Sequence, residues 1–299
     1  MKKKNVLIVL ALALVVLATP FVSIVQAKQI VETDMGYYTE YIGTLGKAGF
    51  AFLMPKAWNG KLVVACHFFM PEALWSNNPK AGVHMAYYMM GAMNFASRGY
   101  AFAYSTYDEP GYCIQNGMIR THQLTEWLID NFDISDEIYL FGYSMGFISV
   151  LLAEKYPDLY DGVLDVVGPK DLKTRYNSWI GLPDPMGILP ALEAECGGTP
   201  DEKPKAYEKR SPTYNADLKV PVISLYGTED TNVPPIHAEM FYDAVEAAGS
   251  LDYYRGYVYS GYGHGSFAQH PVVALHFRDL VDWVENGIEP PTDPYPLPP

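Results

Sequence analysis

The chain predicts an α/β architecture: a mainly parallel sheet with helices on both faces. Three observations carry this reading. Short apolar runs recur at 61–67, 100–107, 138–141, 162–168 and 220–226, as in strands buried on both faces. Between them lie stretches of helical periodicity, at 114–132, 235–248 and 271–285. In the middle, the apolar run 138–141 leads directly into Gly142-Tyr143-Ser144-Met145-Gly146, and a helical pattern follows over 147–155. A serine on a glycine-flanked turn between strand and helix is a context for nucleophilic chemistry.

The chain opens with Lys2, Lys3 and Lys4, an uncharged apolar run from Val6 to about Thr19, a break at Pro20 and a small-residue exit at Val25-Gln26-Ala27. Residues 1–27 thus read as a secretory signal peptide cleaved after Ala27, implying a secreted or cell-envelope protein without stable membrane association after cleavage. The stretch is also just long enough for an uncleaved anchor; its short apolar core, ended by Pro20, favours cleavage. Residues 28–299 are expected to form one domain, and 49% apolar residues suffice to fill its core. Without Lys2 to Lys4 the formal charge of −13 becomes −16. Such a surface repels phosphate backbones, so nucleic acid is not expected as a partner. Among the cysteines, Cys66 ends an apolar strand and reads as a buried thiol. Cys113 and Cys196 lie in loop-like contexts and are the better candidates for a bridge outside the cytosol, with connectivity left open. No spacing suggests a metal site, no motif asks for a cofactor, and oligomeric state is not legible.

In order, 28–36 reads as a loosely held lead-in, and 37–41 and 48–55 as strands joined by the Trp58-Asn59-Gly60 turn to the strand at 61–67. Residues 82–97 have helical composition, with His84, Met85, Tyr88, Met89 and Met93 read as core. A strand at 100–107 and a helix at 114–132, with apolar Ile119, Leu124, Trp127 and Leu128, precede the Ser144 strand; 162–168 is the sixth strand. Residues 169–218 then break the rhythm with Pro, Gly and charge. A long structureless insertion after the sixth strand suggests a lid over an active site, with a passive surface excursion as the alternative. A strand at 220–226, a helix at 235–248, a last strand at 252–259 and a helix at 271–285 complete the series; Val273, Phe277, Leu280, Val281 and Val284 form one stripe of that helix. The proline-dense tail 289–299 is expected to be solvated and extended.

A serine hydroxyl becomes a nucleophile only with a base in hydrogen-bond reach and an acid orienting that base. Ser144 is the candidate nucleophile. The acid belongs on the loop leaving a later strand, and Gly227-Thr228-Glu229-Asp230-Thr231-Asn232 presents Asp230 there, with a plain Asp-Thr-Asn turn as the bland alternative and Asp171 in reserve. The base belongs after the last strand, where Gly263-His264-Gly265 presents His264; His270, at a helix start, is its serious rival. The backbone N–H of Met145 is one oxyanion donor; the other is expected from the loop after 61–67, first Phe68 and then Phe69. Phe68 and Phe69 are expected to line the substrate pocket and Tyr143 to close it, with Tyr176, Trp179 and Ile180 of the insertion as the opposite wall.

The Gly142–Gly146 turn, the Gly-x-x-Asp-x-x-Val-Pro run ending at Pro234 and the Gly263-His264-Gly265 turn together resemble the α/β-hydrolase superfamily over residues 37–287. Gly-Tyr-Ser-Met-Gly is similar to turns in secreted esterases, including feruloyl-esterase-like and polyester-hydrolase-like enzymes. Ser211-Pro212 resembles the lead-in of esterases and prolyl-oligopeptidase-like hydrolases. The chain departs from the family at His67-Phe68, where His-Gly is common, and at Phe147, where a small residue is common. The resemblance implies an α/β-hydrolase fold and hydrolysis of a small-molecule or polymeric carboxylic ester through an acyl-enzyme. The alternatives are a serine peptidase of the same fold and a non-catalytic binding module.

Overall fold

The computed structural model describes residues 27–76, 78, 90–135 and 137–295. Nine strands form one sheet: β1 (Ala27–Asp34), β2 (Tyr38–Leu45), β3 (Ala48–Pro55), β4 (Leu62–Cys66), β5 (Ala101–Ser105), β6 (Ile138–Tyr143), β7 (Gly162–Val166), β8 (Val222–Gly227) and β9 (Tyr254–Tyr259). Their spatial order is β1-β2-β3-β5-β4-β6-β7-β8-β9. The first three and the β3–β5 pair are antiparallel; every pair from β5 to β9 is parallel. The expected mainly parallel sheet is therefore present, with an antiparallel margin.

Successive side chains of a strand point to opposite faces, and here each face meets its own helical layer. On one side Leu62, Val64 and Leu140 join a core with α2 (Ile114–Asn131), α3 (Ile148–Lys155) and α7 (Ile236–Ala248). On the other, Val63, Ala65, Tyr139 and Phe141 meet α1 (Ala92–Ala96) and α8 (Pro271–Asn286). This double burial explains why the central strands read as unbroken apolar runs.

Several expectations need correction. Residues 27–34 are not a loose lead-in but the edge strand β1, paired with β2. Its residues are exposed almost throughout, so it is held by backbone bonds and has no apolar alternation to betray it. The segment between β7 and β8 is not structureless. It carries α4 (Leu172–Asn177), α5 (Ile188–Cys196) and α6 (Pro204–Lys209). The Asp171 carboxylate accepts from Thr174 N at the start of α4, and Asp184 accepts from Ile188 N and Leu189 N at the start of α5, each at 2.6–2.8 Å. Of the helix expected at 82–97, only Ala92–Ala96 is helical within the described residues, and its Met93 faces solvent, not the core; His84, Met85, Tyr88 and Met89 lie outside them, as does 1–26 of the expected signal peptide. On α2, Leu124 and Leu128 are buried as expected, but Ile119 is exposed, and Ile114, Gly117, Thr121 and Thr125 complete the buried face. The tail is tied down as far as it is described: Tyr257 donates to Pro291 O, Arg255 pairs with Glu289, and the Tyr295 hydroxyl lies 2.7–2.8 Å from both Asp279 carboxylate oxygens. The three cysteines are buried free thiols, so Cys113 and Cys196 do not bridge.

Candidate active site

The C-terminal edge of the parallel sheet gathers the candidate residues. Ser144 follows β6 with φ of 55°, a left-handed backbone that a non-glycine residue adopts at a cost. Two glycines make the turn possible. A Cβ on Gly142 would collide with the Gly146 carbonyl and come within 2.5 Å of Ser149 Oγ; one on Gly146 would collide with the carbonyl of Cys66 at the end of β4. The Gly142 clash thus arises within the turn and the helix after it, and the Gly146 clash against the neighbouring strand β4.

His264 Nε2 lies 2.9 Å from Ser144 Oγ, and His264 Nδ1 lies 2.8 Å from Asp230 Oδ2. The Asp230 side chain is 1% exposed and that of His264 is 22%. Asp230 Oδ1 accepts from Asn232 N at 2.9 Å and Val233 N at 2.8 Å. The bland Asp-Thr-Asn turn and the orienting acid are therefore one arrangement: one carboxylate oxygen builds the turn and the other holds the imidazole. The two loops are laced together, with Glu229 N donating to Tyr262 O and Gly261 N to Thr228 Oγ1. A Cβ on Gly227 would strike the Tyr262 carbonyl, so this close approach requires glycine. Tyr143 donates its hydroxyl to His264 O at 2.6 Å.

The rivals are engaged elsewhere. Asp171 caps α4. His270 caps α8 through Nδ1, and its Nε2 meets Tyr262 Oη at 2.9 Å. Met145 follows Ser144 at a helix start, where the first N–H groups lack intrahelical partners. Phe68 leaves β4, whose Cys66 pairs in register with Gly142 of β6, so Phe68 and Ser144 emerge side by side. The loop carrying Phe68 is braced from behind. Tyr107 accepts from His67 N at 2.9 Å and stacks on its ring at 3.9 Å, and His67 Nδ1 donates to Phe68 O at 2.6 Å. Burial pushes the His67 imidazole down to about 4, which keeps it neutral.

A cavity of about 450 Å³ opens beside this loop, between Phe69 and Pro71, residues 109–113, and α5 with Met186 before it. Of the residues expected around the pocket (Phe68, Phe69, Tyr143, Tyr176, Trp179 and Ile180) only Phe69 lines it. Tyr143 braces His264 instead, and Trp179 lies over Arg175, its Nε1 donating to Asn232 O at 3.4 Å. Sequence reasoning missed Arg175, which joins α4 to the acid loop through Asn232, and Tyr112, which accepts from its Nε; a lone arginine among aromatic residues carried no signal of that role. Among the described residues no cluster of three metal-ligating side chains occurs, and no helix is long and apolar enough to cross a membrane.

The arrangement can pass a proton from a serine hydroxyl to an imidazole whose far nitrogen is held by a buried carboxylate. Comparisons with known proteins bear on the fold and the family. The model described as the prolyl oligopeptidase family matches residues 92–290. An acetyl xylan esterase from Thermoanaerobacterium sp. is similar in structure, with a TM-score of 0.59 and 12% identity over 86% of this chain and 88% of that one. An acylaminoacyl peptidase of Pyrococcus horikoshii (TM-score 0.57, 14% identity, 87% of this chain) and a puromycin-hydrolyzing peptidase of Mycobacterium tuberculosis (0.59, 17%, 90%) are also similar. This chain spans only 42% of the length of either peptidase. No curated protein matched. At these identities the structural likeness establishes the fold, that of the α/β-hydrolase superfamily.

Proposed function

The chain belongs to the prolyl oligopeptidase family, and from that premise we propose that it is an exported serine hydrolase cleaving carboxylic esters. The observation that carries the reading is the unbroken hydrogen-bonded series Ser144–His264–Asp230. Ser144 Oγ attacks the ester carbonyl while His264 Nε2 takes its proton. Asp230 holds the imidazole in the tautomer with Nδ1 protonated and balances the imidazolium. The N–H groups of Met145 and Phe68 receive the developing oxyanion. His264 then protonates the leaving alcohol, and water, activated by the same imidazole, releases the acyl group. Export is proposed from the basic, apolar and small-residue order of residues 1–27.

The ester reading is supported by the match over most of the acetyl xylan esterase. Peptide hydrolysis is the second reading, favoured by the family match and by the peptidases among the similar structures.

A fluorophosphonate probe tests the nucleophile: wild type should label and Ser144→Ala should not, and labelling of the variant would remove Ser144 from the mechanism. A p-nitrophenyl ester series from acetate to palmitate, a feruloyl ester and an aminoacyl-naphthylamide panel then separate the readings. Turnover of amides with silence on esters would reverse their order.

A further inference from the structure

Arg175 is 1% exposed, and among the described residues no carboxylate lies within ion-pair distance of it. A guanidinium taken out of water without a counter-ion is costly, so its neighbours are informative. Nη1 donates to Asn232 O, and Nη2 donates to Asn232 Oδ1 at 2.8 Å. Nε donates to Tyr112 Oη at 3.2 Å, and the Trp179 ring covers the cation at 4.9 Å. One planar fork thus holds both oxygens of a single residue, and the N–H of that residue donates to Asp230 Oδ1.

We propose that Arg175 is a positioning residue: its grip on Asn232 fixes the turn that presents the Asp230 carboxylate to His264, and so couples the segment between β7 and β8 to the reaction. This rests on the reading of Ser144, His264 and Asp230 as a catalytic triad. Stability alone does not explain the residue, since neutral side chains fill such a gap at lower desolvation cost. What an arginine adds is a rigid two-pronged donor carrying a fixed charge. Asn232 needs both prongs, because its carbonyl and side chain would otherwise turn with the loop.

The test compares Arg175→Met, Arg175→Lys, Asn232→Ala and the Arg175→Met/Asn232→Ala double variant, with steady-state ester kinetics and thermal melts on each. A loosened acid acts on the chemical step, so kcat should fall roughly 10- to 100-fold in Arg175→Met while KM changes little. Arg175→Lys keeps the charge but loses the fork and should fall between wild type and Arg175→Met. Because Arg175 acts through Asn232, the double variant should be no slower than the slower single. Multiplied losses in the double variant, a loss confined to KM, or unchanged kcat in folded variants would overturn the proposal. If Arg175→Met does not fold, Arg175→Lys and Asn232→Ala still decide: wild-type kcat in both refutes it. Failure of the triad reading looks different, since wild type itself would then neither label with fluorophosphonate nor turn over.

Discussion

Acidification from pH 7 to about 4.5 should unfold much of this protein's stability, through three histidines. His67, His237 and His276 are each at most 1% exposed. Burial pushes His67 and His276 down to about 4 and His237 to about 3, where Lys170 and Arg175 add to the effect. Asp279, 3.7 Å from His276 Nδ1, pulls the other way, but both its oxygens are occupied by Tyr295 and burial dominates. In the unfolded chain each imidazole returns to about 6.5. The folded values lie below the unfolded ones. As pH falls from 6.5 toward 4, the unfolded chain therefore takes up protons that the folded chain refuses, and stability is lost. Each imidazole contributes about 1.4 kcal/mol per pH unit in that window, hence on the order of 2–3 kcal/mol at pH 4.5 and about 7 kcal/mol for the three. That is a large share of the 5–15 kcal/mol typical of a domain. Guanidinium melts followed by tryptophan fluorescence at several pH values give the slope directly. His276→Gln, away from Ser144, should lower it by about 1.4 kcal/mol per unit. A free energy of unfolding that stays flat between pH 6.5 and 5, or an unchanged slope in His276→Gln, would refute the reasoning.

Three further outcomes are expected. Lys170 is fully buried, paired with Asp165 and lying over the Tyr226 and Phe241 rings at 5.5 and 5.4 Å. Lys170→Met should cost about 3–5 kcal/mol by stranding the carboxylate, and Asp165→Leu/Lys170→Met should recover part of it, both read from denaturant midpoints. The thiols should be silent to an aromatic disulfide reagent in the native protein and all react in denaturant. Burial pushes Cys66 up to about 12 and Cys196 to about 11, and drives Cys113 up as well; two missing equivalents in denaturant would restore the Cys113–Cys196 bridge. Gly146→Ala should abolish fluorophosphonate labelling or prevent folding, because its Cβ meets the Cys66 carbonyl; near-normal labelling would show that the turn tolerates a side chain.

The sequence was most legible where one residue's local chemistry decided the structure. Gly142, Ser144 and Gly146 mark their turn by spacing alone, and His264 stands between two glycines just after the last strand. The parallel strands were legible because both their faces are buried. What stayed hidden depends on contacts distant in the chain. Arg175 and Asn232 are 57 residues apart, and neither carries a local sign of the other. The edge strand β1 has no buried face to impose a pattern. Two helices between β7 and β8 were marked, by Asp171 three residues before Thr174 and by Pro204 at a first turn; density of proline and glycine obscured those marks.

The crossed order β5-β4-β6 also sets a clock on synthesis. Both sheet neighbours of β4 come after it in the chain, and all five of its residues are buried in the finished sheet. A ribosome adding about 5–20 residues per second needs roughly 4–15 seconds to supply β6 once Cys66 has been made. Throughout that interval Leu62–Cys66 is an apolar strand with a vacant edge, the kind of segment that aggregates or recruits a chaperone. A chain held extended until β6 emerges avoids that hazard, whereas one released early meets it with an apolar strand unpaired.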